Sequence, residues 1–190
     1  MCAAFNAIFT EDIYDVQTLD TVEYGLNTMI AVANSKGYVS VYSFQGTQMQ
    51  ISQPESFEVS TPLSVSNLKF VKRDQKLFLA AGVSLMGTIK ILDLARGAII
   101  NTIDAHNDEI VSMSMNSRMT TLLSTSLDGS VKSWSAIDWR IKEFFRVPTD
   151  DPFDFLIHLS SDWNPNEPEE FVTGGLVFAL MAFGKTVSQR

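Results

Sequence analysis

Three stretches of this chain repeat one pattern. They are MIAVANSKGYVSVYSF (29–44), LAAGVSLMGTIKILDL (79–94) and LLSTSLDGSVKSWSA (122–136). Each is a β-rich run, a turn containing glycine, and a second alternating run. The turns are Lys36-Gly37, Met86-Gly87 and Asp128-Gly129, and a large side chain follows each glycine at the same distance: Tyr42, Leu92 and Trp134. Asp-Gly between alternating runs is among the strongest short-range hairpin signals. A single hairpin cannot bury both of its faces. A chain that repeats one must stack the copies.

The large residues recur at intervals of about 40 to 50 residues, close to the repeat of a four-stranded propeller blade. The flanking strands are fainter. LSVSNLKFV (63–71) and IVSMSMNS (110–117) alternate before the second and third hairpins. AIINTID (98–104) and RIKEFFRV (140–147) follow them as outer strands. Residues 45–62, polar and with two prolines, read as a connecting loop. DWNPNEPEEFVTGG (162–175) reads as the end of an inner strand, a turn and the next strand. Aligning Thr173 with Ser124 puts Phe183 in the place of Trp134, but Val177-Phe178 is poor turn chemistry where Asp128-Gly129 stood. Helical periodicity is almost absent, so the chain reads as all-β.

Composition narrows the partners. A net charge of −8 on 190 residues argues against binding to phosphate backbones. The single cysteine, Cys2, allows no intrachain disulfide and fits a reducing compartment. The apolar N-terminus has no basic segment before it, against a signal peptide. The run at 171–184 is shorter than a membrane-spanning helix needs and reads as a buried strand pair. The acidic stretches 107–109 and 149–154 read as solvated loops, and NPNEPEE (164–170) as a turn. Lys90 and Lys132, at equivalent places, read as residues of an exposed edge.

His106 precedes the third hairpin in AHNDEIVSMSMNSRMTTLLSTSLDGSVKSWSA (105–136). This unit resembles a WD repeat, with Ser135 where the naming aspartate stands; the second unit keeps Asp93 but has Leu92 in place of tryptophan. The resemblance covers roughly residues 20–175. It implies a partial β-propeller with three recognisable four-stranded blades and part of a fourth. The expected division is an N-terminal segment at 1–20, a candidate outer strand, then blades at about 21–62, 63–105, 106–147 and 148–175, then a divergent tail at 176–190. It also implies a buried hydrogen-bonded chain of His106, Ser124, Asp128 and Trp134, with Ser126 as the alternative to Ser124. Such a chain is physically sensible, because a buried indole N–H and imidazole are costly unless paired.

The same residue types could make a hydrolase triad. Ser124, however, lies mid-strand without a nucleophile elbow, which favours the structural reading. His158, between Ile157 and Leu159, reads as a core or edge histidine, and no spacing suggests a zinc site. The expected function is a non-catalytic, intracellular scaffold binding proteins or peptides through propeller loops, without cofactor, metal, nucleic acid or membrane span. The short blade count suggests a fragment or short isoform of a larger propeller protein. LKFVKRD (68–74) with HNDEIVS (106–112) is similar to extra-sex-combs type Polycomb subunits, which gives a histone-tail-binding subunit as the alternative function. The order of units and FDFLIHL (153–159) are similar to the WD region of BEACH-domain proteins.

Overall fold

The computed structural model describes residues 15–45, 50–51, 55–60, 62–146, 158–175 and 181–183. All of the regular structure among them is strand. Strands β1 (Val16–Tyr24), β2 (Asn27–Asn34) and β3 (Tyr38–Gln45) form the first sheet, with β4 (Gln50–Ile51) and β5 (Glu55–Glu58) both pairing with β3. The second sheet runs β6 (Val65–Arg73), β7 (Lys76–Val83), β8 (Thr88–Asp93), β9 (Ala98–Asp104). The third runs β10 (Ile110–Met115), β11 (Thr121–Ser126), β12 (Ser130–Ser135), β13 (Ile141–Arg146). The fourth sheet holds β14 (His158–Trp163), β15 (Phe171–Gly175) and β16 (Met181–Phe183). Every pairing among the described strands is antiparallel.

The first strands of the sheets pack in a row, β1 on β6, β6 on β10 and β10 on β14, as the inner strands of propeller blades do. The three recurring residues occupy one register. Tyr42 pairs with Ile30, Leu92 with Leu79, and Trp134 with Leu122, and all three large side chains are buried.

Alternation explains the packing. On β7, Leu77, Leu79 and Ala81 face the first sheet while Phe78 and Ala80 face the third. Both faces are buried, so this strand reads as a continuous apolar run rather than an alternating one. The same division recurs on β8, where Leu92 faces the first sheet and Ile89 and Ile91 the third. Three cores result, one in each junction between successive sheets. In the last, Trp163 and Phe171 pack edge-on at 5.5 Å beside Leu123 and Val131.

Polar groups also cross each junction. The Asp20 carboxylate accepts from Lys69 Nζ at 2.7 Å and from the Phe70 N–H at 2.8 Å. The Arg73 guanidinium donates to the carbonyls of Ala136 and Ile137 and lies over the Phe78 ring at 4.7 Å. The Trp163 indole donates to the Ser114 carbonyl at 3.1 Å.

Four details differ from the sequence reading. Residues 45–62 are not all loop: Phe57 pairs with Val39, and β5 is the outer strand of the first sheet. The reading failed because Pro54, which carries no N–H, falls between β4 and β5, and proline is tolerated at a sheet edge. β1, an inner strand, begins at Val16, ahead of the start at 21 expected for the first blade, and the rest of the segment before it, where an outer strand was expected, lies outside the described residues. The tail assigned to 176–190 contributes β16, whose backbone pairs Phe183 with Phe171 as Trp134 pairs with Leu122. The alignment of Thr173 with Ser124 gives this register. Finally, Lys90 and Lys132 are half-buried staples. Lys90 Nζ donates to the Val59 carbonyl at 2.6 Å, and Lys132 Nζ to the Ala105 carbonyl, each in the loop arriving from the preceding sheet. Lys132→Met should therefore cost about 1 kcal/mol in urea unfolding, where a solvent-edge lysine would cost nothing. Cys2, residues 149–154 and Val177-Phe178 lie outside the described residues.

Candidate functional site: the buried histidine network

His106 sits in the loop between β9 and β10. Its position is set from the preceding sheet, because the Gly87 carbonyl accepts the N–H groups of Ala105 and His106 at 3.0 and 2.8 Å. Gly87 itself has φ +60. The first sheet uses the same device, with the Gly37 carbonyl accepting from Val59 and Ser60. Ser60 thus stands where the next repeat places His106.

The ring bridges two hydrogen-bonded arms. His106 Nε2 lies 2.7 Å from Ser124 Oγ, and Trp134 Nε1–H donates to the same Oγ at 2.9 Å. On the other side, Nδ1 lies 2.9 Å from Ser130 Oγ and 3.3 Å from Asp128 Oδ2. Ser130 Oγ donates to Asp128 Oδ1 at 2.5 Å. Donors and acceptors then follow in one direction. Trp134 N–H gives to Ser124, Ser124 O–H to Nε2, Nδ1–H to Ser130, and Ser130 O–H to the carboxylate. This chain requires a neutral imidazole protonated on Nδ1.

Electrostatics agree with that assignment. Burial lowers the His106 pKa from 6.5 to about 4, outweighing attraction to Asp128, while the nearby Lys132 ammonium lowers it further. Asp128 moves the opposite way from what its own burial would dictate. Hydrogen bonds from Ser130 and from the Asn107 N–H, with the His106 field, hold its carboxyl below the ordinary value.

Each sequence-derived residue has a definite place. His106, Ser124, Asp128 and Trp134 meet in one cluster between the second and third sheets. Ser126 stays out of it: its Oγ donates to the Asp108 carbonyl and accepts from the Asp128 N–H. Asp93, at the position of Ser135, caps the turn after β8 by accepting from the Ala95 and Arg96 N–H groups. Ser130 is the member that sequence reasoning missed. Its signal was present, because an Asp in a tight turn bonds the backbone two residues on, and Asp128 Oδ1 accepts the Ser130 N–H at 2.9 Å.

The connectivity Ser124–His106–Asp128 is that of a hydrolytic triad, but its setting is a packed core. Ser124 is 0% exposed and His106 7%. The Ser124 oxygen is occupied as donor and acceptor at once, which leaves no open approach for a carbonyl carbon. Among the described residues no cluster of three His, Cys, Asp or Glu side chains could hold a metal ion, and no helix is long and apolar enough to cross a membrane. The sequence matches no family model and no curated protein.

Proposed function

We propose that this chain is a non-catalytic scaffold of the WD-repeat kind, with its buried network holding sheet geometry and its turns offered to partner proteins. One observation carries the binding half of this reading. The β7–β8 turn exposes Leu85 (73%) and Met86 (57%), and Leu85 has φ 66. That backbone conformation costs a bulky residue about 1 kcal/mol and suits Gly or Asn. The corresponding turns carry Ser35-Lys36 and Leu127-Asp128 instead. A strained, solvent-facing apolar pair is unexplained by stability and is what a contact surface requires. Gly87, the next residue of this turn, lies against the backbone of the exposed Asp108, so the tip supports a partner with an apolar pocket and a basic rim.

Leu85→Asn tests this reading in two measurements. Unfolding stability should rise by up to about 1 kcal/mol, because the left-handed turn suits asparagine. Proximity labelling should at the same time lose the proteins that the wild-type chain marks reproducibly. If labelling is unchanged in Leu85→Asn, the turn is not the contact. If the chain hydrolyses p-nitrophenyl acetate in a manner abolished by Ser124→Ala, the non-catalytic reading is wrong.

A further inference from the structure

The junctions between sheets are built from equivalent positions, so a substitution between repeats shows what one junction lacks. In the third sheet the turn between β12 and β13 ends in Trp139, at φ 60. Its buried indole packs edge-on against Phe78 of the second sheet at 6.3 Å. The pairings Trp134 with Ile141 and Leu92 with Ile99 place Gly97 at the same point of the second sheet, with φ 62. The counterpart of Phe78 in the first sheet is Met29, which pairs with Val22 as Phe78 pairs with Val71. An aromatic pair at one junction is thus a methionine and a glycine at the other.

A cleft of about 330 Å³ opens there. Met29, Val41 and Leu77 line it with Leu94, and the exposed Lys76 and Glu55 stand at its mouth. The volume is at the small end for ligand pockets and suits one ring rather than a whole cofactor. Thioethers make favourable contacts with aromatic edges. The molecule covers the equivalent surface one junction along with its own indole.

We propose that this cleft receives one aromatic side chain from an extended segment of a partner protein, with a neighbouring carboxylate paired to Lys76. The inference goes beyond the scaffold reading, which concerns the β7–β8 turn, and either can fail alone.

The test is a titration of the full chain, labelled with ¹³C at the methionine methyls, with the peptide acetyl-Gly-Trp-Glu-Gly-amide. The Met29 methyl resonance is expected to move upfield through the indole ring current. A peptide with alanine in place of tryptophan should leave it unmoved. Lys76→Glu, a surface change, should weaken the tryptophan peptide about threefold. Gly97→Trp should abolish binding, since by the equivalence with Trp139 its indole is directed towards Met29 as that of Trp139 is towards Phe78. Trp139 already lives at that φ, and a Cβ on Gly97 would meet only Phe57, at 3.4 Å. An unmoved Met29 resonance at millimolar peptide overturns the proposal. So does a shift that survives the alanine peptide or, should Gly97→Trp not fold, one indifferent to Lys76→Glu.

Discussion

Gly87→Ala is expected to lower stability by about 4 kcal/mol. Two terms combine. A Cβ at φ +60 is strained whatever surrounds it. This Cβ would also lie 2.2 Å from the His106 carbonyl oxygen and 2.7 Å from that of Asp108. Both obstacles are backbone, so no side-chain rotation relieves them. The loop must move, and with it the ring whose Nε2 sits 2.7 Å from Ser124. Gly25 supplies the internal control. It has φ +65 with nothing within 4 Å of a built Cβ. Gly25→Ala should cost only about 1 kcal/mol. Urea unfolding of the two variants separates backbone strain from close approach. Equal losses would mean that the contact between the β7–β8 turn and the His106 loop contributes nothing.

That contact shows where sequence reading stops. The glycine turn itself was legible, because Gly and alternating runs are local signals. So was the division into sheets, since each hairpin carries its own period. The His106–Ser124–Asp128–Trp134 cluster was legible through the resemblance to a WD repeat, which implies such a chain, although Ser130 went unnoticed beside Asp128. What the sequence hides is which group a side chain meets across a junction. Lys90 and Lys132 read as solvent-facing on any strand pattern, yet their acceptors lie 31 and 27 residues back in the chain. β5 was hidden for a different reason. An outer strand buries little, so Glu55, Ser56 and Glu58 carry no hydrophobic alternation to find. The cleft beside Met29 depends on matching Gly97 with Trp139. That match emerges only after the strand registers are known.

Acid should unfold this chain earlier than its carboxylates alone would dictate, with His106 as the cause. In the unfolded chain the imidazole takes up a proton near pH 6.5. In the folded state burial defers protonation to about 4. Between those values the unfolded state binds more protons, so stability falls as pH falls. The loss across the window amounts to about 3 kcal/mol. It is physically specific, because a charged ring would force both nitrogens to donate and would break the bond from the Ser124 hydroxyl. The Asp128 carboxyl, held below its ordinary 3.8, adds a further loss of the same sign once the pH drops past that value. Urea unfolding at pH 7, 5.5 and 4.5 should show the decline, and His106→Asn should be less stable at pH 7 but flat between 6.5 and 4.5. Should that variant not fold, the ring protons of the wild-type chain carry the test. One of the two histidines must then show no titration between pH 7 and 5, and assignment must identify it as His106. A His106 resonance titrating near 6.5 would mean that the ring is solvated and that the chain from Trp134 to Asp128 does not persist in solution.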